Sequence, residues 1–525
     1  MTAYRAQTTL RFRGPLDIPA LERALTEIVR RHEIFRTTFP VIDGGPVQLI
    51  HESWKVELPI HDITQISDYC EREARARELV ADTLLKPFDI TALPLVWWSL
   101  VKVAPEDHVL AMVEHHFVHD GWSFGVFLRE LRALYTAYLE GRESPLPDPP
   151  VQFADFAVWQ RRWVESEAAQ AKMAFWEKEL AGVPPLELPT DFPRPAVMRF
   201  RGARERVLLP PDLAAEVRAF AREHGATFFM TLMAAFQALM GRYSGQRDFC
   251  VGSGLGNRGQ VALEGIIGMV VNMVGIRADL EGDPTGMELL NRVRNTTLRA
   301  QEHQDVPFDQ VVRKIAPERS ASSLPIYQVS FAAHNSPMAD LRFGGMTVEM
   351  ADVLDNGSAK FDIQVTVVPR AEQGIAGLED VVMLVWEYDT DLFTRASVQR
   401  IARHYQRLLE TLVREPHRRL SEMPLLDGDE RRLVVEEWNR TAAERPADAG
   451  VARLFEAQAA RAPEAVAVLS PAGAITYGDL DRRADALARR LRALGVGPEI
   501  AVGLCMERSP ELLVGVLGIL KAGGA

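Results

Sequence analysis

The sequence is poor in cysteine, and the three cysteines that it has are far apart. Cys70, Cys250 and Cys505 are scattered over 525 residues. They make neither the dense spacing of a disulfide framework nor a CxxC metal pair, so no disulfide scaffold is expected. A reducing environment, and hence a cytoplasmic location, is the expectation that follows.

Features that would point to nucleic-acid binding or membrane insertion are missing as well. The net charge is −12 and no dense run of Lys and Arg occurs, which argues against a groove for nucleic acid. No charged-then-apolar leader opens the sequence, and apolar stretches such as MTLMAAFQALM are too short to cross a bilayer. The sequence therefore predicts no nucleic-acid partner and no membrane span.

The composition that remains is that of a soluble globular protein with several domains. Hydrophobic residues make up 47% of the chain and charged residues 25%, and 525 residues are too many for one ordinary core. A proline-rich stretch at 182–195 predicts a linker between two halves, and a charged stretch from residue 426 predicts a second connector. We expect these segments: 1–178, 179–425, a linker at 426–450, and 451–525.

The stretch EHHFVHDGWSF, at residues 114–124, is the strongest candidate for chemistry. The residues before it alternate like a strand and those after it predict an amphipathic helix, so it lies at a strand-to-helix junction. A metal site is disfavoured, because adjacent residues such as His115 and His116 point to opposite faces of a strand. No HExxH pair or distant Cys/His pair completes a ligand set, so we expect no metal.

Acid–base work by a single imidazole is the favoured hypothesis for this junction. One of the two adjacent histidines is expected to face a cleft, and Gly121 allows a substrate to approach closely. The free N–H groups of the following helix can stabilise a developing oxyanion, and histidine moves protons near neutral pH. The alternative is a set of satisfied polar residues at a turn. His119, which nothing distinguishes, is interpreted as structural.

The stretch GLGNRG, at residues 254–259, fits the GxGxxG pattern of dinucleotide-binding loops, and Asp279 lies at a suitable distance downstream. The residues that follow it are rich in glycine and β-branched side chains and do not predict the long helix that a βαβ unit needs. We therefore interpret GLGNRG as an ordinary loop.

HHFVHDG resembles the HHxxxDG motif of the condensation domains of nonribosomal peptide synthetases, which a wider acyltransferase superfamily shares. Further stretches resemble other motifs of that family in the same order, over about residues 4–425. They are RHEIFRTTF (31–39), FADFAVWQ (153–160), IGMVVNMVGIR (267–277), HQDVPFDQVV (303–312) and RSASSLPIYQV (319–329). After them, ITYGDL (475–480) and LKAGGA (520–525) resemble the first two motifs of an adenylation domain.

The resemblance implies an α/β fold of two chloramphenicol-acetyltransferase-like subdomains in a V-shaped pseudodimer, plus an incomplete α/β N-terminal piece of an adenylation domain. The implied reaction is attack by an acceptor's α-amino group on a donor thioester, which yields an amide. The condensation domain itself would bind no cofactor. Upstream donor and downstream acceptor peptidyl carrier domains would supply 4′-phosphopantetheine, and the module's own adenylation domain would be a further partner. ATP and Mg would belong to the remainder of that adenylation domain, so adenylation is not expected here.

Roles for individual residues also follow from the resemblance. His116 would be the catalytic imidazole in a channel between the halves, and Gly121 would lie where the acceptor's arm passes. His115 and Asp120 would be structural members of the motif, with Arg36 as the cation that pairs with Asp120. Whether His116 takes a proton or positions the amine stays open. The other candidates for channel or motif positions are Trp122, Ser123, Asn272, Asp305, Pro307 and Phe308.

Two departures from the family pattern bear on activity and subtype. The sequence lacks a segment like SxAQxRLWxL, so weakened stability or activity is expected of this chain alone. DGWS is closer to domains that take L-configured donors, or to starter domains that take fatty acyl groups, than to epimerisation domains, and the L-donor subtype is our prediction. The alternatives are a starter domain that attaches a fatty acyl group to the first amino acid, an inactive carrier-docking domain, and a stand-alone acyltransferase that uses CoA.

Overall fold

The structure is a computed structural model, and it describes residues 4–315, 320–334, 342–350, 354–370, 381–444, 450–471 and 473–525. The chain divides into two compact units, Met1–Asp427 and Gly428–Ala525. No helix in the described ranges is long and apolar enough to cross a lipid bilayer.

The first unit is built around two six-stranded mixed sheets with helices packed on them. The strands in its described part are β1 (Arg5–Arg13), β2 (Thr37–Thr38), β3 (Val41–Ile42), β4 (Gly45–Pro46), β5 (Leu49–Ile50), β6 (Ile60–Asp62), β7 (Val96–Ala104), β8 (Asp107–His115), β9 (Gly202–Leu209), β10 (Asp248–Leu255), β11 (Asn272–Asp279), β12 (Val329–Ala333), β13 (Arg342–Phe343), β14 (Met346–Met350), β15 (Ile363–Pro369) and β16 (Val382–Asp389). Its helices are α1 (Ile18–Arg31), α2 (Tyr69–Leu85), α3 (Gly121–Leu139), α4 (Phe153–Val164), α5 (Glu167–Glu179), α6 (Pro211–Glu223), α7 (Phe228–Ser244), α8 (Gly286–Glu302), α9 (Phe308–Ile315) and α10 (Arg395–Arg414).

The first sheet has the strand order β13-β14-β1-β8-β7-β6. Helices α1 and α3 pack on one face of it, where Leu25, Phe127 and Leu131 are fully buried. Helix α1 begins after Asp17, whose carboxylate accepts a hydrogen bond from the N–H of Ala20, as the Asp-capped pattern predicts. Strands β1 and β8 pair along their whole length, so the sheet ends at the histidine motif.

Two strands of this first sheet come from a part of the sequence that follows most of the second sheet. Strand β14 pairs antiparallel with β1, with Leu10 opposite Met350 and Arg13 opposite Thr347, and β13 extends the same edge. The chain therefore returns from the second half to complete the first. Local sequence patterns cannot predict that β14 pairs with β1, because the two segments are more than three hundred residues apart. Arg13 and Glu349, for example, are separated by 336 residues.

The second sheet has the order β11-β10-β12-β15-β16-β9 and is covered by long helices. Strand β12 lies parallel to β10 and to β15, and the remaining pairs are antiparallel. Its core includes Phe236 of α7, Trp386 of β16 and Tyr405 of α10, all fully buried. Helix α5 contributes Trp176 to this second core although it precedes the predicted boundary at residue 179.

The residues between β10 and β11 form a loop, and we call residues 256–271 the bridging loop. Strands β10 and β11 are antiparallel neighbours, with Gly254 opposite Met273. A dinucleotide cradle needs a parallel βαβ unit with a helix directly after its glycines. The expectation that GLGNRG is no nucleotide cradle is therefore confirmed, although its first two residues end β10 and only the rest lies in the loop.

The second unit contains a hairpin and four helices in its described part. They are α11 (Gly428–Arg432), α12 (Val451–Arg461), β17 (Val466–Ser470), β18 (Gly473–Thr476), α13 (Tyr477–Ala493) and α14 (Pro510–Ala522). Leu480 and Ala484 of α13 pack on Leu517 of α14 in a small core. Part of the stretch predicted to be a plain connector is helical, since α11 and a π-helical segment at Leu433–Glu437 lie within it.

Candidate active site

The histidine motif forms the predicted strand-to-helix junction. Strand β8 ends at His115, residues 116–120 form what we call the motif turn, and α3 begins at Gly121. Asp120 caps α3, because its carboxylate accepts a hydrogen bond of 2.9 Å from the N–H of Ser123. This part of the local prediction is confirmed.

The two adjacent imidazoles have different surroundings. The ring of His115 packs edge-on against Phe117 at 4.5 Å and Phe88 at 5.9 Å, and its Nδ1 accepts from the N–H of Phe117 at 3.3 Å. His116 is half-buried, and its backbone N–H donates to the carbonyl of Tyr4. Within the described residues, the only polar contact of its ring is with its own backbone, so a ring nitrogen can accept a hydrogen bond from a substrate.

Both imidazoles are neutral at physiological pH. Burial lowers the pKa of His116 to about 3, and the nearby ammonium of Lys360 acts in the same direction. Burial also lowers the pKa of His115. A group with so low a pKa is a weak proton acceptor but a competent hydrogen-bond acceptor.

Asp120 is the most heavily hydrogen-bonded side chain of the site. Besides the two donors of Ser123, its oxygens accept from both terminal nitrogens of Arg258, at 2.9 and 3.1 Å, and from the N–H groups of Val270 and Val271, each at 3.0 Å. Burial alone would raise the pKa of this carboxyl, but Arg258 and the hydrogen bonds outweigh it and the pKa is lowered. Asp120 is therefore an anion that ties the motif turn to the bridging loop.

The expected pairing of Asp120 with Arg36 is wrong. Arg36 donates to the backbone carbonyl of His51 and lies 3.4 Å from the carboxylate of Glu33. The cation beside Asp120 is Arg258, and both side chains of this pair are only 2% exposed. Sequence reasoning missed Arg258, although it lies in the GLGNRG stretch, because that stretch was tested only as a nucleotide motif.

Trp122 and Ser123 contact the bridging loop. The indole N–H of Trp122 donates to the carbonyl of Glu264 at 2.9 Å. The hydroxyl of Ser123, which donates to Asp120, accepts from the N–H of Gly268 at 3.0 Å and lies 3.1 Å from the carbonyl of the same residue, and Ser123 is fully buried. The contacts of both residues hold the first half of the unit to the second.

The remaining candidates form a separate cluster at the start of β11. The side-chain amide of Asn272 donates to the carbonyls of Gln304 and Val306, and its oxygen accepts from the N–H of Phe308 at 3.1 Å. Asp305 is paired with Lys172 at 2.5 Å, and Pro307 directly precedes α9. The Asn272 cluster connects to the motif turn through Val270 and Val271, which bind Asp120.

A buried acidic residue next to the motif was also missed. The Nδ1 of His119 lies 2.7 Å from the Oε1 of Glu114, with side-chain exposures of 7% and 1%. Burial acts to lower the pKa of His119, but the Glu114 carboxylate outweighs it and the pKa is raised. This pair connects the motif turn to β8, which agrees with a structural role for His119. An acidic residue directly before two histidines was the signal that could have found it.

Gly121 has room beside it and a residue of the second half nearby. It is exposed at the start of α3, and a Cβ built on it would lie 3.9 Å from the Cδ2 and Nε2 atoms of His334. A methyl group on Gly121 would therefore be in ordinary van der Waals contact with that ring. Among the described residues, no three His, Cys, Asp or Glu side chains are grouped so as to hold a metal ion.

Two protein families match the chain in succession. The condensation domain family matches residues 1–435, and the AMP-binding enzyme family matches residues 455–525. Chondramide synthase cmdD of Chondromyces crocatus is 41% identical over 100% of this chain, and malpinin synthetase of Mortierella alpina is 37% identical over 99% of it. The chain spans only 13% and 7% of the lengths of these two proteins.

Solved structures show the same architecture. The X-domain from teicoplanin biosynthesis superposes with a TM-score of 0.72 at 28% identity, over 81% of this chain and 93% of that one. A four-domain nonribosomal peptide synthetase bound to AMP and glycine superposes with a TM-score of 0.79, over 100% of this chain and 40% of that one. At 21% identity, the second likeness concerns the fold alone. The predicted pseudodimeric α/β fold is confirmed.

Proposed function

This chain belongs to the condensation-domain family of nonribosomal peptide synthetases, and on that premise we propose that it joins a donor acyl or peptidyl thioester to the α-amine of an acceptor aminoacyl thioester. Condensation domains are amide-forming acyltransferases, and the AMP-binding match is confined to residues 455–525. The observation that carries the proposal is the neutral, half-buried ring of His116, whose only polar contact within the described residues is with its own backbone. Donor and acceptor would be carried by 4′-phosphopantetheine arms on separate peptidyl carrier domains.

The reaction forms one C–N bond and breaks one C–S bond. The acceptor's nitrogen lone pair attacks the thioester carbonyl carbon, and collapse of the tetrahedral intermediate expels the thiolate of the donor arm. The proton lost by nitrogen ends on that thiolate. An α-amine has a pKa near 8, so a neutral fraction is present at pH 7. The low pKa of His116 supports a role in which its ring accepts a hydrogen bond from the amine and orients it.

The pH dependence follows from these two pKa values. Because the pKa of His116 is lowered to about 3, the ring stays neutral throughout pH 5.5–9. The rate is expected to rise with pH as the acceptor amine loses its proton, with a midpoint of about 8 and no step near 6.5. Single-turnover amide formation at fixed thioester concentration measures this profile, with thioester hydrolysis subtracted. A second ionisation near 6.5 that vanishes in His116→Gln would contradict the assignment.

Replacing Gly121 by alanine is expected to change the acceptor KM without lowering the stability of the fold. The new methyl group of Gly121→Ala would make ordinary contacts at 3.9 Å, and alanine in a helix is about 0.5–1 kcal/mol more favourable than glycine. The variant is expected to unfold at the same or a slightly higher temperature, while the acceptor KM rises by about 10-fold because the passage is narrowed. Thermal unfolding and acceptor titration test this together. A lower unfolding temperature with an unchanged KM would refute it.

The donor subtype is proposed from the motif DGWS to be an L-configured aminoacyl or peptidyl group. Donor carriers loaded with L-aminoacyl, D-aminoacyl and fatty acyl groups would distinguish an L-donor domain from a starter domain. The L-aminoacyl donor is expected to exceed the D-aminoacyl and fatty acyl donors by about 10-fold or more in kcat/KM, since a channel shaped for one donor misplaces another.

A docking role is the second candidate, since an X-domain from teicoplanin biosynthesis, 29% identical, was solved in complex with OxyB. Catalysis is favoured because His116, Asp120 and Gly121 are all present and His116 is accessible. Mass spectrometry of loaded donor and acceptor carriers tests the proposal. Transfer of the donor to the acceptor carrier is expected. Binding of both carriers without transfer would support the docking role. Transfer from a CoA thioester alone would indicate a stand-alone acyltransferase.

A further inference from the structure

The motif turn is closed by a buried ion pair. Glu114 is the second-last residue of β8, and His119 is the fourth residue of the motif turn. The Nδ1 of His119 lies 2.7 Å from the Oε1 of Glu114. Inside this closure, the N–H of Val118 donates to the carbonyl of His115 at 3.0 Å. His116 therefore lies on a short segment that contacts hold together on both sides of it.

The Glu114 end of the ion pair is fixed by the first sheet. The backbone of Glu114 lies opposite Ala6 of β1 and Val96 of β7, so a paired strand flanks it on each side. The ring of His119 packs edge-on against Phe124 of α3 at 6.1 Å. The ion pair therefore ties the motif turn to a part of the sheet that cannot move without disturbing two neighbouring strands.

The ion pair also extends a row of alternating charges. Burial and the guanidinium of Arg258 act to lower the pKa of His119, but the carboxylates of Glu114 and Asp120 outweigh them and the pKa is raised. Arg258 belongs to the bridging loop and pairs with Asp120 at 2.9 Å. The row of charges therefore runs from the bridging loop, through the motif turn, to β8.

The ion pair leaves buried polar atoms without partners. The second carboxylate oxygen of Glu114 and the Nε2 of His119 make no hydrogen bond within the described residues, although both atoms are buried. Apolar side chains of similar volume often stabilise a fold as well as a buried ion pair does, or better. Stability alone therefore does not account for charged residues at these two positions.

We propose that Glu114 and His119 are positioning residues that hold the imidazole of His116 at the acceptor's amine. The inference deepens the proposed amide-forming function and rests on it. Both side chains are buried, so they act through the motif turn and do not touch the substrate. The ion pair fixes the course of the turn, and the turn fixes the direction of the His116 ring. A misplacement of about 1 Å at a reacting group costs about 10²-fold in rate.

The test replaces the ion pair by apolar side chains in the 525-residue chain. Glu114→Met/His119→Leu leaves no charge of the pair behind, so it is expected to unfold within about 4 °C of the wild type. With a loaded donor carrier and aminoacyl-N-acetylcysteamine, kcat should fall by about 10- to 100-fold, while both KM values change by less than about twofold. A pair that served packing alone would leave kcat unchanged, because the apolar side chains replace that packing.

A second measurement shows whether the ion pair acts through His116. In a His116→Ala background, Glu114→Met/His119→Leu should change kcat by less than about twofold, because the ring that the pair positions is absent. Fully additive effects would show an independent role and overturn the inference. Glu114→Gln keeps an oxygen that can accept from the His119 ring, and it should retain kcat within about threefold of the wild type.

The matched control is a second buried histidine–glutamate pair. The Nε2 of His32 lies 3.0 Å from the Oε2 of Glu130, with side-chain exposures of 2% and 12%. Glu130 lies about 14 Å along α3 from Gly121, at 1.5 Å per residue. His32→Leu leaves Glu130 paired with Arg31 and should leave kcat unchanged.

The possible failures can be told apart. A wild-type chain that forms no amide overturns the proposed function and this inference with it. An active wild type with an unchanged kcat in a folded Glu114→Met/His119→Leu variant overturns the inference alone. Should that variant not fold, His119→Gln and His119→Met decide in its place. Only the first keeps a donor for Glu114, so a higher kcat is expected of it, and equal values would overturn the inference.

Discussion

His116→Ala is expected to lower kcat for amide formation by about 10²- to 10⁴-fold, the range that a positioned proton-transfer or orienting group supplies. The fold should survive, because the hydrogen bond that this residue makes to Tyr4 uses its backbone N–H and the ring is half-buried. Single-turnover transfer between loaded carriers, together with thermal unfolding, measures both quantities. Undiminished product from a folded His116→Ala would remove the basis of the proposed mechanism.

Two further variants separate the possible roles of the imidazole. His116→Gln keeps a hydrogen-bond acceptor but cannot serve as a base near neutral pH. If the ring orients the amine, this variant should retain about 10-fold more activity than His116→Ala, and if the ring takes the proton, the two should be equally slow. His115→Ala is the neighbouring control. It should mainly lower stability, because that ring packs against Phe88 and Phe117.

Arg258→Met is expected to lower the free energy of unfolding of the condensation domain by about 3–5 kcal/mol. The physical reason is that the change leaves the carboxylate of Asp120 buried without its cation, and both side chains are only 2% exposed. Urea unfolding followed by tryptophan fluorescence measures the change. Amide formation should fall as well, because Asp120 joins the motif turn to the bridging loop.

Arg36→Met is the matched control for this prediction, since the resemblance assigned the partnership with Asp120 to Arg36. It should cost about 1 kcal/mol, the value of its hydrogen bond to the carbonyl of His51. The double variant Asp120→Asn/Arg258→Met should be more stable than the sum of the two single effects, because no charge is left unpaired. Equal losses from Arg36→Met and Arg258→Met would contradict the observed pairing.

Much of the local structure could be predicted because its causes lie within a few residues. Asp17 caps α1 through a residue three positions away, and the alternation of β8 together with the spacing of α3 defines the junction at the motif. His115 ends β8 and His116 begins the motif turn, so the different surroundings of the two rings follow from the local course of the chain. The family resemblance depended on such short stretches.

The partners within the site were much harder to predict. Nothing near Asp120 in the sequence indicates whether its partner is Arg258 or Arg36. Which arginine pairs with Asp120 depends on where the bridging loop packs. The contacts of Trp122 and Ser123 with the same loop have the same origin. His334 could not be placed near the site from the sequence, because it lies close to Gly121 only when the two halves are folded together.

The sequence by itself determined the secondary-structure elements around the motif, the reactive residue types and the family. The tertiary structure alone decided that β14 completes the first sheet, that Arg258 neutralises Asp120 across 138 residues, and that an imidazole of the second half lies opposite Gly121. The physical reason is that caps and periodicity act over one or two turns of chain. Burial of a charge and the walls of a passage depend instead on segments that meet only after folding.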